Sequence, residues 1–220
     1  MQRPSLVRFL VILGAFSASA ASAQPMDTLR VGASVSNLDA RAHVDYRHRF
    51  NGGQRLGLAA SFGHAREVIV VGFAAENELV GSLGVESRFP ILRRPRVQVD
   101  LGLDAAVRRV FGDDGPPQDA SGSWALEVHA SMIGTARAGR GAVRLGILVP
   151  FSMELAPEVV NDAQGALLHA GFTYPLSDRL WLDFDADAGG LFGSDGDAAK
   201  FLARGRLSLR IAFGDDAAIY

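Results

Sequence analysis

From residue 41 to residue 50 the chain reads RAHVDYRHRF, with Arg41, His43, Asp45, Arg47 and Arg49 at odd positions and Ala42, Val44, Tyr46 and Phe50 at even ones. Only His48 breaks the alternation. Successive side chains of a strand point to opposite faces, so this segment carries one charged face and one apolar face. The same period of two recurs along most of the chain. Leu29, Val31, Ala33 and Val35 alternate with Arg30, Gly32, Ser34 and Ser36. Leu56, Leu58, Ala60 and Phe62 follow the turn NGGQ, and Leu83, Val85 and Phe89 oppose Ser82, Glu86 and Arg88. Further segments run from Val97 to Val107, Trp124 to Met132, Val143 to Phe151, Leu168 to Tyr174, Leu180 to Ala188 and Leu207 to Phe213. Helical spacing fits none of them, so the pattern predicts an all-β protein.

The connections also alternate. NGGQ (51–54), PILRRP (90–95), TARAGRG (135–141) and PLSD (175–178) read as compact turns. GDDGPPQDASG (112–122), SMELAPEVVNDAQ (152–164) and GSDGDAA (193–199) are longer, mostly acidic connections. Short turns at one end and longer loops at the other suit an antiparallel up-and-down barrel. With both ends of the chain on the short-turn side, the strand count is ten. Residues 64–78, HAREVIVVGFAAENE, read as a strand end plus a loop; twelve strands, with an added pair here, or eight remain open alternatives.

Alternation by itself fits two inside-out architectures, a soluble barrel or sandwich with its apolar face inward and a membrane barrel with that face in lipid. Segments of about 9–11 residues match the tilted span of a bilayer. Aromatic residues gather near strand ends, at Tyr46, Phe50, Phe62, Phe89, Phe111, Trp124, Phe151, Phe172, Tyr174 and Phe213, as interfacial girdles do. The last strand, GRLSLRIAF (205–213), sets Leu207, Leu209, Ile211 and Phe213 on one face and ends on an aromatic ring. In these features the chain resembles Gram-negative outer-membrane β-barrel proteins, whose final strand ends on an aromatic residue read by the barrel-assembly machinery. The resemblance covers most of the mature chain and identifies a class without a subfamily. It implies an outer-membrane location, contact with outer-membrane lipid and lipopolysaccharide, and a monomer. The chain departs from the class in its tail GDDAAIY, where Asp215 and Asp216 break the alternation before Tyr220.

The N-terminus accords with export. Arg3 and Arg8, an apolar run from Phe9 to Phe16 and the A-x-A site Ala21-Ser22-Ala23 form the layout of a cleavable signal peptide over residues 1–23. Residues 24–220 then make one barrel domain. The longest later apolar run, VIVVGFAA at 68–75, is too short for a spanning helix. Net charge is −2 for the whole chain and two units more negative once Arg3 and Arg8 leave, which speaks against nucleic acid as a partner. The chain has no cysteine, so neither disulfides nor thiol chemistry enter.

If the apolar face meets lipid, the charged face lines the lumen. The inward set then contains Arg41, Asp45, Arg47, Asp100, Asp104, Asp183, Asp185, Asp187, Arg204, Arg206 and Arg210, together with Arg30, Arg49, Arg55, Arg88, Arg108, Arg144, Glu86, Glu127, His43, His129 and His169. Two readings follow: ion pairs that plug a narrow barrel, leaving a structural or loop-mediated role, or an Arg/Asp-lined channel for small solutes. A third is a hydrolase at the outer rim, for which Ser61, His64 and Glu67 or Glu76 are the available residues. The expectation is that the protein is no enzyme. No metal motif is present; Asp113, Asp114 and Asp119, or Asp195 and Asp197, are loop carboxylates without EF-hand spacing, and no cofactor is expected.

Overall fold

Each alternating segment forms a strand, because a period of two lets both faces of a pleated ribbon be uniform. The computed structural model describes residues 26–65, 78–111, 124–156, 162–193 and 200–213. The strands are β1 (Met26–Ser36), β2 (Asp39–Arg49), β3 (Arg55–Ala65), β4 (Glu78–Arg94), β5 (Val97–Phe111), β6 (Trp124–Ala138), β7 (Gly141–Ala156), β8 (Asp162–Pro175), β9 (Leu180–Gly193) and β10 (Lys200–Phe213). Every neighbour in sequence is an antiparallel neighbour in space, and β10 pairs with β1 from Asp27↔Phe213 to Ser36↔Arg204. The sheet therefore closes on itself and has no free edge. The ten strands of the sequence reading are those of the barrel. β3 pairs directly with β4 from Arg55↔Arg88 to Ala65↔Glu78, so no strand separates them.

Two of the expected turns are shorter than the sequence suggested. Arg93 and Arg94 still pair with Gln98 and Val97, leaving Pro95 and Arg96 as the β4–β5 turn. The ladder shifts between Pro90 and Leu92, where proline has no N–H to donate, and resumes beyond it. Likewise Thr135 to Ala138 belong to β6, and only Gly139 and Arg140 form the turn. Gly139 has φ 61°, a conformation that suits a tight hairpin and costs glycine little, so pairing runs to the tip at Ala138↔Gly141. The connection expected at 152–164 is shorter too, since β7 runs to Ala156, β8 begins at Asp162, and Ser152 and Met153 pair with Ala163 and Asp162. Residues 1–23, 112–122, 157–161, 194–199 and 214–220 lie outside the described residues.

The two faces of the wall are sharply unlike. On β8, Leu168 is 72% exposed and its neighbour His169 only 9%. On β9, Phe184 is 51% exposed beside Asp183 at 1%; on β10, Leu207 is 54% exposed beside Ser208 at 2%. Along the middle of the wall the apolar side chains point out and the charged ones point in; charged groups on the outer face, such as Asp27 and Arg109, lie at its rims. Exposed rings form a band at each end of the wall: Tyr46, Phe50, Phe172, Tyr174 and Phe213 toward the short turns, and Phe62, Phe111 and Trp124 toward the other end. Phe192 and Phe201 join the second band; they were missed in sequence because they flank the acidic connection before β10.

Candidate functional site

The charged residues converge on the lumen because parity places them there on every strand. β9 contributes Asp183, Asp185 and Asp187, spaced by two and nearly fully buried. Each has several partners. Asp183 accepts a hydrogen bond from Thr173 Oγ1 at 2.5 Å and lies 3.1 Å from Arg210 Nε and 3.3 Å from Arg144 Nη1. Asp185 lies 2.9 Å from Arg144 Nη2 and 3.4 Å from His169 Nε2. Asp187 meets His169 Nδ1 at 2.7 Å and Arg204 Nη2 at 2.6 Å.

The opposite wall carries a second set. Arg30 donates to Asp45 at 2.7 Å and reaches toward Asp185 at 3.9 Å, so it ties the two sets together. Arg47 lies 3.3 Å from Asp45 and 2.6 Å from Glu86. Arg88 pairs with Asp104 through both its terminal nitrogens, and Arg108 with Glu127 at 2.9 Å. Arg55 stands 3.9 Å from Asp100, and Arg41 turns to Asp39 at 2.5 Å, near the β1–β2 turn. His43 Nε2 lies 3.0 Å from Ser208 Oγ.

Several of these pairs skip a strand, and small inward residues allow it. Arg47 on β2 reaches Glu86 on β4 across β3, where Gly57 faces inward; a Cβ there would sit 2.8 Å from Arg47 Cγ. Arg144 on β7 reaches Asp185 on β9 across β8, where a Cβ on Gly171 would lie 2.8 Å from Arg144 Nε. These glycines are lumen space rather than bends.

Toward the short-turn end, Trp181 is an inward residue that the sequence reading did not single out. It is buried, and the Arg210 guanidinium lies 5.2 Å from its ring centroid. Its parity with Asp183 was the available signal. On the outer face His48 meets Asp27 at 2.6 Å beside Phe50, which explains how a polar ring is tolerated at the rim of the apolar wall. Leu207, Leu209, Ile211 and Phe213 all face outward on β10, opposite Ala33, Val31, Leu29 and Asp27 of β1.

Ser61 and His64 do not come together. Ser61 faces inward and bonds Ser82 Oγ at 2.7 Å, whereas His64, three residues on along the same strand, has the opposite parity. Glu67 and Glu76, like Asp113, Asp114, Asp119, Asp195 and Asp197, fall outside the described residues. Within the lumen a cavity of about 370 Å³ remains, lined among others by Arg41, His43, His129, Arg204 and Arg206.

No protein-family model matches the sequence, and no curated protein matches it. Solved structures align over most of the chain at low identity. The KdgM porin in complex with disordered oligogalacturonate is 10% identical over 85% of this chain and 99% of that one, with a TM-score of 0.47. The outer-membrane protease OmpT from Escherichia coli is 6% identical over 90% and 99%, with a TM-score of 0.42. Neisserial surface protein A is 10% identical over 87% and 97%, with a TM-score of 0.35. The assignment of fold and faces rests on the chain's own register and exposure rather than on these likenesses.

Proposed function

We propose that the protein is a monomeric barrel of the Gram-negative outer membrane whose lumen is closed by its own ion pairs, serving membrane integrity or surface contacts through its loops. One observation carries this reading: the wall is inverted, with Leu168, Phe184 and Leu207 outside and the aspartates of β9 inside. An apolar belt around the whole wall would be an unmanageable exposed patch in water and is what hydrocarbon requires. The aromatic bands at its two edges match the two lipid–water interfaces. Short turns then face the periplasm and the acidic connections face out, toward lipopolysaccharide. On this reading residues 1–23 are an export signal, and the barrel-assembly machinery takes the final strand through Leu207, Leu209, Ile211 and Phe213.

The number and bulk of the inward side chains support a closed lumen. Ten strands enclose little more than the eight-stranded case that side chains fill, and the arginines lie along the inner wall, paired with acids one or two strands away. The cavity among them favours a second reading, a small-solute channel lined by the same arginines and aspartates.

Fractionation and planar-bilayer recording test both statements. The protein is expected to sediment with outer membranes, to migrate faster unboiled than boiled, and to show no steady unitary conductance. Stable open steps would replace the sealed lumen with the channel, and recovery as a soluble periplasmic protein would end the membrane reading.

A further inference from the structure

Carboxylates are distributed unevenly among the lumen arginines. Asp187 is occupied by His169 on one oxygen and by Arg204 on the other. Asp185 Oδ1 lies 2.9 Å from Arg144 Nη2 and 3.4 Å from His169 Nε2 without a well-aligned hydrogen bond to either, and Arg30 approaches the other oxygen at 3.9 Å. Arg206 stands opposite Asp185 in the β9–β10 register, between Arg204 and Ser208. Among the described residues it makes no hydrogen bond or ion pair, and its Nε is buried without a partner.

The wall beside Arg206 is low. Ser34 of β1 lies opposite both Arg206 on β10 and Arg41 on β2, and Gly32 lies opposite both Ser208 and His43. Two small β1 residues thus form a floor flanked by Arg206 on one side and by Arg41 and His43 on the other. His43 spends Nε2 on Ser208, while its Nδ1 is buried with no acceptor. A second unclaimed donor therefore stands across the floor from the first. Both side chains line the cavity of about 370 Å³, which has room for an ion with several waters.

Given a lumen sealed from conduction but not dry, we propose that this floor is a binding site for a small oxyanion of the inorganic-phosphate type. The guanidinium of Arg206 supplies the charge and a planar pair of donors, the geometry that suits phosphate and carboxylate oxygens. With Ser208 donating its hydroxyl hydrogen to Nε2, His43 carries a hydrogen on Nδ1 and donates it to the ion. The anion does for Arg206 what Asp187 does for Arg204. The site rests on the barrel reading of the preceding section, since it needs these side chains inside, and it does not require passage through the lumen.

Inorganic phosphate is the probe. The full barrel, refolded in detergent micelles, is titrated with phosphate by calorimetry and by thermal unfolding at constant ionic strength, with chloride as the comparison. Wild type is expected to show a saturable, one-site rise in Tm with phosphate that chloride does not reproduce. Arg206→Gln removes a charged hydrogen bond, so affinity is expected to fall roughly tenfold to a hundredfold. Without phosphate the same variant is expected to melt at or above the wild-type temperature, because an unpaired cation between Arg30 and Arg204 is gone. A merely structural arginine would lower it. His43→Gln provides a second variant with the charge of Arg206 intact, and the exposed rim arginine in Arg94→Gln leaves the phosphate response unchanged. An equal response to chloride and phosphate, or a phosphate response that survives Arg206→Gln, overturns the site. Heat-modifiable migration of the same samples reports the barrel itself, so its loss would implicate the fold reading and its retention the site alone.

Discussion

Asp187 shows what a single lumen charge contributes. It holds His169 and Arg204 together at 2.7 and 2.6 Å while being 6% exposed itself. Asp187→Asn leaves an uncompensated guanidinium, and removing one partner of a fully buried pair costs about 3–5 kcal/mol. Arg204 keeps some access to lumen water, so the expected loss lies at or below the lower edge of that range. A double-mutant cycle with Arg204→Gln, followed by urea unfolding, is expected to give a coupling of about 0.5–3 kcal/mol. Coupling near zero would mean a wetted lumen in which the charges are screened. Gly171 provides the steric counterpart: Gly171→Val places side-chain atoms where Arg144 crosses β8, at an expected cost of about 1–3 kcal/mol. In an Arg144→Ala background only part of that cost is expected to be relieved, because Asp185 Oδ1 is the atom nearest the added Cβ and the Phe184 carbonyl lies beside it.

A strand presents the lipid face and the lumen face at alternate residues, so its tolerance to charge alternates as well. Leu168, the most exposed of the apolar wall residues, is the sharpest place to test this. Leu168→Arg puts a cation in hydrocarbon, at a cost of about 2–4 kcal/mol near mid-depth. The variant is expected to insert poorly into liposomes, with Leu168→Val close to wild type. An inward control needs room. Ser208 does not offer it, since at 2% exposure against His43 an arginine would collide rather than extend. Ala59 on β3 lines the cavity, and Ala59→Gln is expected to fold within about 1 kcal/mol of wild type. Equal damage at Ala59 and Leu168 would contradict the inverted wall.

At the scale of the whole molecule, closure between the first and last strands is the defining event, and the absence of cysteine makes it easy to probe. Val31 and Leu209 are cross-strand partners on the outer face, so their Cα atoms are roughly 4.5–5.5 Å apart, within disulfide reach. Val31→Cys combined with Leu209→Cys is expected to cross-link on mild oxidation and to shift migration on non-reducing gels. Val31→Cys with Leu182→Cys, on the next strand over, spans about twice the strand spacing and is expected not to. Cross-linking of the second pair and not the first would mean that β1 and β10 do not meet.

The class of fold was legible in the sequence because the side-chain period of a strand is a local property, written into each segment independently. RAHVDYRHRF, the aspartates of β9 and the arginines of β10 all declared their faces, and ten such segments with compact turns between alternate pairs made ten strands. The same parity, had it been applied to Ser61 and His64, would have set that serine and that histidine on opposite faces, as the structure does. Turn lengths were overestimated at 90–95 and 135–141, since a proline shift and a glycine at positive φ allow pairing to continue where composition reads as loop. Partner choice was legible only between consecutive strands, where antiparallel pairing of β9 and β10 sets Asp187 opposite Arg204 or Arg206 and the register selects Arg204. Every inward acid faces the same interior as many arginines, and which pair forms depends on register, on closure, and on glycines such as Gly57 and Gly171 that let a long side chain cross a strand. That Asp187 pairs with Arg204 follows from the register of two consecutive strands, whereas contacts across the β1–β10 seam, such as Arg30 with Asp185 and His43 with Ser208, were decided only when the sheet closed and brought the two ends of the chain to fixed heights around one lumen.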